Sequence, residues 1–215
     1  MSINPDPLQG IQQNLELYYK ENLEKHGKSS QGVGWKNDQA QKIRFEQLAK
    51  VFYHDQDFSV NDLGCGTGDF FNFLSSFYGK KFKYYGYDIM EDMISIAKEK
   101  LRTKPQVQLL KIISAEEMMQ ADYTVASGIF NLKFSSEEHN WLYYILSTLK
   151  NMDIKSKKGF AFNILTKYSD RDYMQDHLYY ADPCFLFDYC KRNFSKNVAL
   201  LHDYDQYDFT IIVRK

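Results

Sequence analysis

Three glycines at alternate positions, Gly64, Gly66 and Gly68, constrain this chain more than any other feature. The apolar lead-in Val60-Asn61-Asp62-Leu63 precedes them and carries an acid just before the turn. Phe70, Phe71, Phe73, Leu74 and Phe77 follow at helical spacing. The pattern predicts a strand, a tight glycine turn and a helix. Glycines are needed where the backbone takes positive φ or where a ligand lies against bare main chain. The helix that follows points its free N–H groups at whatever sits in the turn. A second acid, Asp88, ends the next predicted strand, Lys83-Tyr84-Tyr85-Gly86-Tyr87-Asp88, about 20 residues beyond the last glycine.

The glycine spacing separates two cofactor readings. Dinucleotide folds use Gly-x-Gly-x-x-Gly with a pyrophosphate on the helix end. Here the third glycine comes one residue sooner, and Asp62 stands just ahead of the turn. The string Asp62-Leu63-Gly64-Cys65-Gly66-Thr67-Gly68 resembles motif I of class I S-adenosylmethionine-dependent methyltransferases. That resemblance implies S-adenosylmethionine as cofactor, its methionine part over Gly64, Cys65, Gly66 and Gly68, with Asp62 near the amine. Asp88-Ile89-Met90-Glu91-Asp92-Met93 resembles motif II of the same family. A carboxylate at Asp88 can accept two hydrogen bonds from ribose hydroxyls, and Ile89 and Met90 would line the adenine. The bland alternative for Asp88 is a helix cap.

The later family positions are less sharply marked. After the third strand the family holds the adenine amino group near the position of Ser114 in Ser114-Ala115-Glu116, with Glu116 as the next candidate. Glu116 and Glu117 could equally open a helical turn, where acids suit the dipole. Ala121 to Asn131 reads as the fourth strand and its exit, placing Ser127 and Asn131 at the methyl group and acceptor.

Length and composition bound the rest. The 215 residues suit one α/β unit with a modest extension. The expected division is a helical extension over 1–53, covering the acceptor side, and a cofactor-binding domain over 54–215. The formal net charge of −1 provides no global field toward nucleic acid or an anionic membrane. Three cysteines form no disulfide framework, and Cys184 and Cys190 lack a nearby histidine pair, so no metal site is expected. Met1 to Gly10 has neither a basic start nor an apolar centre, and no run approaches a membrane span. The expected setting is the cytoplasm.

Taken in order, Leu8, Ile11, Leu15, Tyr18 or Tyr19 and Leu23 share a helical face that stops near Gly27, and Lys28 to Gly34 is a loop. Asp38 is the expected N-cap of a second helix running to Phe52. Strands are expected near 58–63, 83–88, 107–113, 121–127, 160–165, 198–201 and 207–213. Ser135-x-x-Glu138 reads as a capping box and Lys155 to Gly159 as a turn. Asp182-Pro183 reads as an N-cap with proline at the first helical position. Five strand–helix units and a final hairpin match the family plan. The expected fold is a Rossmann-like, seven-stranded, mostly parallel sheet in the order 3-2-1-4-5-7-6, its last strand antiparallel.

In parallel α/β sheets ligands gather outside the carboxyl ends of the strands. Asp62, Asp88, Ser114, Ser127 and Thr166 fall on that rim, while the lysines at 80, 81, 83, 155, 157 and 158 precede strands and fall on the other. Arg44 is a candidate for the cofactor carboxylate and Trp35 for a wall of the acceptor pocket. Tyr168, Tyr179 and Tyr180, in the aromatic loop 167–181, are candidate acceptor contacts. His177 is the candidate base, with His139 behind it and Asn131 beside it. Surface or packing roles stay open for each. The activity read from this is methyl transfer to an oxygen or nitrogen of a small molecule, by a monomer or homodimer. A dinucleotide oxidoreductase, a non-catalytic methyltransferase-like scaffold, and a methyltransferase acting on protein or RNA are the alternatives.

Overall fold

The computed structural model describes residues 7–27, 29–52 and 55–215, with side chains from residue 10 onward. Leu8's packing, the amino-terminal decapeptide's first residues, Lys28 and the expected 53/54 boundary fall outside the described residues.

Seven strands form one sheet: β1 (Phe58–Leu63), β2 (Phe82–Asp88), β3 (Val107–Lys111), β4 (Ala121–Ser127), β5 (Ser156–Leu165), β6 (Asn197–Leu201) and β7 (Asp208–Arg214). Their order is β3-β2-β1-β4-β5-β7-β6, as the sequence predicts. The first five run parallel. Strand β7 lies antiparallel between β5 and β6. Helices α2 (Asp38–Ala49), α3 (Asp69–Tyr78) and α4 (Glu91–Leu101) cover one face, while α5 (Glu138–Ile154) and α6 (Pro183–Asn193) cover the other. Helix α1 (Pro7–His26) buries Ile11 and Leu15 against the α5 side and lies over the carboxyl end of the sheet.

The central strands β1, β4, β5 and β7 are buried over most of their length, while the edge strands β3 and β6 stay partly exposed. The abundance of aromatics is used here. Phe52 stacks on Phe58 at 4.5 Å between ring centres, Phe58 on Phe82 at 5.8 Å, and Tyr123 meets Phe52 edge-on at 5.2 Å. This ladder closes the amino end of the sheet beneath α2 and α3. Such aromatic pairs add to the area that they bury.

Several element boundaries differ from expectation. The cap of α2 is Asn37, whose side chain accepts from Ala40 N, and Asp38 is the first helical residue. No side chain caps α5, so the expected box at Ser135 and Glu138 is absent, and the helix starts at Glu138 itself. A capping box does form at Ser114 and Glu117, around a single 3-10 turn. Lys157 to Gly159 extends β5 instead of forming a turn, because β4 supplies partners back to Ser156. Asp182 caps α6 as predicted, with Pro183 first in the helix.

The aromatic ladder gives a direct test of which phenylalanines hold the fold. Phe52→Ala removes a fully buried ring and should cost about 3–5 kcal/mol in urea unfolding. Phe77→Ala, on the exposed end of α3, should stay within about 0.5 kcal/mol of the parent.

Candidate active site

The carboxyl ends of β1, β2 and β4 open into a cavity of about 380 Å3. Its floor is the glycine turn. Gly64, Gly66 and Gly68 all take positive φ, at 77°, 51° and 80°. Gly64 N and Cys65 N both donate to Tyr87 O, at 2.7 and 2.9 Å, so the turn hangs from β2. The three glycines serve different ends. A Cβ on Gly64 would lie 2.2 Å from Ile129, and one on Gly68 would lie 2.7 Å from Leu101 of α4. Gly68 therefore packs against α4 and stands outside the cavity lining. Gly66 faces the cavity, with Val33 above it at 3.5 Å from the built Cβ.

Two buried acids stand on this floor. Asp62 accepts a hydrogen bond from Tyr84 Oη at 2.5 Å. Burial pushes its carboxyl up to about 7, against the lowering effect of that hydrogen bond, and the charges of Asp88 and Asp69 add to the rise. Asp88 accepts from Gly66 N and from Met90 N, each at 2.9 Å. Burial raises it as well, opposed by those backbone donors. Asp88 lines the cavity, while the N-cap position of α4 is Met90, with no side-chain cap, so the bond from Met90 N fixes the Asp88 carboxylate ahead of the helix.

Beyond Asp88 the cavity is lined by Ile89, Met93 and Ile112. Met90 is buried under the turn and does not reach it. Ser114, Ala115 and Glu116 are likewise outside the lining. Ser114 Oγ accepts from Glu116 N, and Glu117 returns to Ser114 N and Ile113 N. Ser114 and Glu117 are thus engaged within the local 3-10 turn, and the three residues expected at the adenine stand beyond the cavity lining.

At the other end stand Trp35, Ser127, Gly128, Asn131, Leu165 and His177. Asn131 Oδ1 accepts from Leu165 N at 3.1 Å, which ties the exits of β4 and β5 together. The main chain of His177 holds Lys133 N and Phe134 N, so its ring sits at the outer end of the cavity. His139 is exposed on α5 and takes no part. Tyr168, Tyr179 and Tyr180 do not line the cavity. Tyr168 is exposed beside His202, Tyr179 packs on the core beneath α5, and Tyr180 Oη accepts from Gln175 N. The short stretch from Gln175 to Leu178 supplies the contacts expected of them.

Arg44 lines the cavity but is not a free cation. Its guanidinium pairs with Asp208, donates to Ala40 O at 2.8 Å and Gln206 Oε1 at 3.0 Å, and lies 4.7 Å over the Trp35 ring. These contacts engage both terminal nitrogens of the guanidinium within the protein. Sequence reasoning expected the helical extension on the acceptor side but did not single out the residues of the roof. Tyr18 and Tyr19 of α1 close over the acids, and burial followed by the charge of Asp88 pushes the Tyr19 hydroxyl up. Only the helical face of α1 hinted at this, and a helical face does not say what it covers. Among the described residues no group of three or more His, Cys, Asp or Glu is arranged to hold a metal ion.

The raised carboxyl of Asp62 has a sign that can be checked. Its folded pKa, about 7, lies above its ordinary value of 3.8. The native state therefore holds the proton more tightly, and the contribution of Asp62 to stability falls as pH rises from about 4 to about 7. Asp62→Asn should flatten that part of the stability profile measured by urea unfolding. Tyr84→Phe, which removes the lowering hydrogen bond, should move the Asp62 titration upward in carboxyl carbon NMR.

Comparison with known proteins follows the same line. Residues 60–151 match the family described as "Methyltransferase domain". A curated protein of Mycobacterium tuberculosis (strain ATCC 25618 / H37Rv), named "Putative methyltransferase Rv1506c", is 49% identical over 158 residues, 74% of this chain and 93% of its own length. Among solved structures, magnesium protoporphyrin IX methyltransferase from Synechocystis PCC 6803 with bound SAM superposes with a TM-score of 0.67 at 12% identity, covering 100% of both chains. Human N-acetylserotonin methyltransferase in complex with SAM gives 0.66 at 13% identity, covering 98% of this chain and 60% of its own. Those two likenesses concern the fold. With the sequence relationship to the mycobacterial protein, and with the glycine turn and paired acids at the carboxyl rim, the chain belongs to the class I S-adenosylmethionine-dependent methyltransferase family.

Proposed function

We propose that this chain transfers the methyl group of S-adenosylmethionine to an oxygen or nitrogen of a small molecule. The observation that carries the reading is one covered cleft with two buried acids at one end and an aromatic wall at the other. The residues fit the cofactor. Asp62 is a buried carboxyl with one hydrogen-bond donor, held near neutrality for want of a cation. A methionine ammonium is a cation of the right kind to restore its charge. Asp88, oriented by two backbone amides, keeps lone pairs for ribose hydroxyls. Ile89, Met93 and Ile112 offer an apolar slot for adenine, and Gly64, Cys65 and Gly66 a bare floor for the methionine chain.

When bound, the cofactor supplies an activated methyl carbon on a positive sulfur. The chain's own task is to align an acceptor in line with that carbon and to exclude water. Trp35, Leu165 and Leu178 supply an apolar wall, and Tyr18 and Tyr19 a cover. Ser127 and Asn131 stand at the β4 exit, where the two substrates would meet. His177, at the outer end, is the group for taking a proton from an acceptor that must lose one. Cover and cleft support a small acceptor over a polymer, and a net charge of −1 supports the same choice against nucleic acid. Among the described residues no helix is long and apolar enough to cross a membrane.

Calorimetric titration with S-adenosylhomocysteine and with nicotinamide dinucleotides tests the cofactor. S-adenosylhomocysteine should bind and the dinucleotides should not. Asp88→Ala should lose about 1.5–3 kcal/mol of that binding. Bound ammonium favours charged Asp62, so binding should release a proton below pH 7, and affinity should rise as pH is raised through about 7. Asp62→Asn should bind weakly without that rise. A screen of metabolite pools with methyl-labelled cofactor should label small molecules, and His177→Ala should slow that labelling with S-adenosylhomocysteine affinity unchanged. Label found only in protein or RNA would end the small-acceptor reading.

A further inference from the structure

Arg44 and Asp208 are the charged pair that the proposed chemistry leaves unused. Asp208 opens β7 and is fully buried, Arg44 lies on α2 and is nearly so, and 164 positions separate them in sequence. Buried ion pairs contribute little net stability, because desolvation offsets the attraction. This pair is also not built for the most stable contact. It meets through one guanidinium nitrogen, and Arg44 Nε and Asp208 Oδ1 have no partner among the described residues. What the arrangement does achieve is a fixed guanidinium carbon 4.7 Å over the Trp35 ring. The rim of the indole's six-membered ring meets the β4 exit. A Cβ built on Gly128 would lie 2.6 and 3.0 Å from two carbons of its six-membered ring. Gly128, at φ 73°, is itself held by Asn163 Oδ1, which accepts from its N–H at 2.7 Å.

We propose that Asp208 and Arg44 are positioning residues that hold the Trp35 indole against Gly128, making it a fixed wall at the acceptor end. This rests on the reading of that end as the acceptor site. Each link has a physical reason. Asp208 is held in the sheet by its pairing with Leu165 of β5, at the start of a strand that β6 flanks from Thr210 onward. Ala40 O and Gln206 Oε1 fix the other guanidinium nitrogen. The guanidinium is planar and weakly hydrated, so it stacks on an indole where an ammonium does not. The C-terminal hairpin thereby sets the position of a side chain on the far side of the cleft. Trp35 would then select acceptors by shape and need not bond to them.

The test uses the full chain labelled with 5-fluorotryptophan. The sequence holds two tryptophans, Trp35 and Trp141, and loss of one resonance in Trp35→Phe assigns the other. Arg44→Lys keeps a charge for Asp208 and removes the flat face, while Arg44→Met and Asp208→Asn break the pair. In all three the Trp35 fluorine signal should shift toward that of free tryptophan and become accessible to a soluble paramagnetic quencher, with the Trp141 signal unmoved. S-adenosylhomocysteine affinity should stay within about threefold of the parent. Gly128→Ala should shift the same Trp35 signal through the ring edge. An Arg44→Lys protein with a parental Trp35 signal would overturn the proposal, since the stack then holds nothing. A loss of S-adenosylhomocysteine affinity beyond about tenfold in Arg44→Lys would also overturn it, by assigning Arg44 to the cofactor. If the parent itself does not bind S-adenosylhomocysteine, the functional reading fails, while the fluorine comparison still decides the clamp.

Discussion

Two backbone hydrogen bonds, Gly64 N and Cys65 N to Tyr87 O, hold the site together. They fasten the exit of β1 to the exit of β2. The two acids are brought into one cavity by that fastening. A turn held this way must curl back on itself, so its residues take positive φ, and a side chain at Gly64 would strike Ile129. The same curl aims Gly66 N at Asp88. Floor and acids are thus one hydrogen-bonded unit, set before any ligand arrives.

That unit holds its acids against the cost of burial. Asp62 and Asp88 are both raised by desolvation, and no cation pairs with either among the described ion pairs. Tyr84 and two backbone amides offset part of the cost, leaving Asp62 half-neutral near pH 7. Contrast the Arg44–Asp208 pair a short distance away, where the opposite charges already meet. One cluster is open to a cation from outside, and the other is closed to it. Elementary electrostatics thus assigns the first to binding and the second to architecture.

How far the sequence could be read follows from the range of the interactions. The glycine turn, Asp62 and Asp88 are local grammar, in which a strand, a turn and a helix are each written in adjacent residues. The strand order comes from the family resemblance carried by the glycine turn and the second acid, since a count of strand–helix units does not fix it. Ser114 was harder, because a serine after a strand caps a turn or faces a ligand with the same hydroxyl, and Glu117 three residues on decided for the cap. Tyr168, Tyr179 and Tyr180 sat in a suitably aromatic loop, but only the path of the loop decides which residues turn inward, and it turned Gln175 and His177 in. Arg44 depended on a partner on β7. Tyr18 and Tyr19 depended on where α1 docks. Contacts of that span leave no local mark, and Asn37 in place of Asp38 as a cap shows that even local grammar shifts by one residue.

The insertion of β7 between β5 and β6 bears on the order of assembly. Within the parallel core the β1–β4 pairing joins residues 63 apart (Val60 to Tyr123), whereas β7 pairs with β6 as a hairpin and with β5 from Leu165–Asp208 to Gly159–Arg214. The β6–β7 hairpin can therefore form locally and dock on β5 as a separate step from closure of the parallel core. A chain stalled before that step would own its glycine turn and both acids, yet Arg44 would have no Asp208 and Trp35 no anchor. Cofactor recognition and acceptor discrimination would then mature at different times during folding. The wall proposed for the acceptor would then depend on hairpin docking, while the glycine turn and its acids would not.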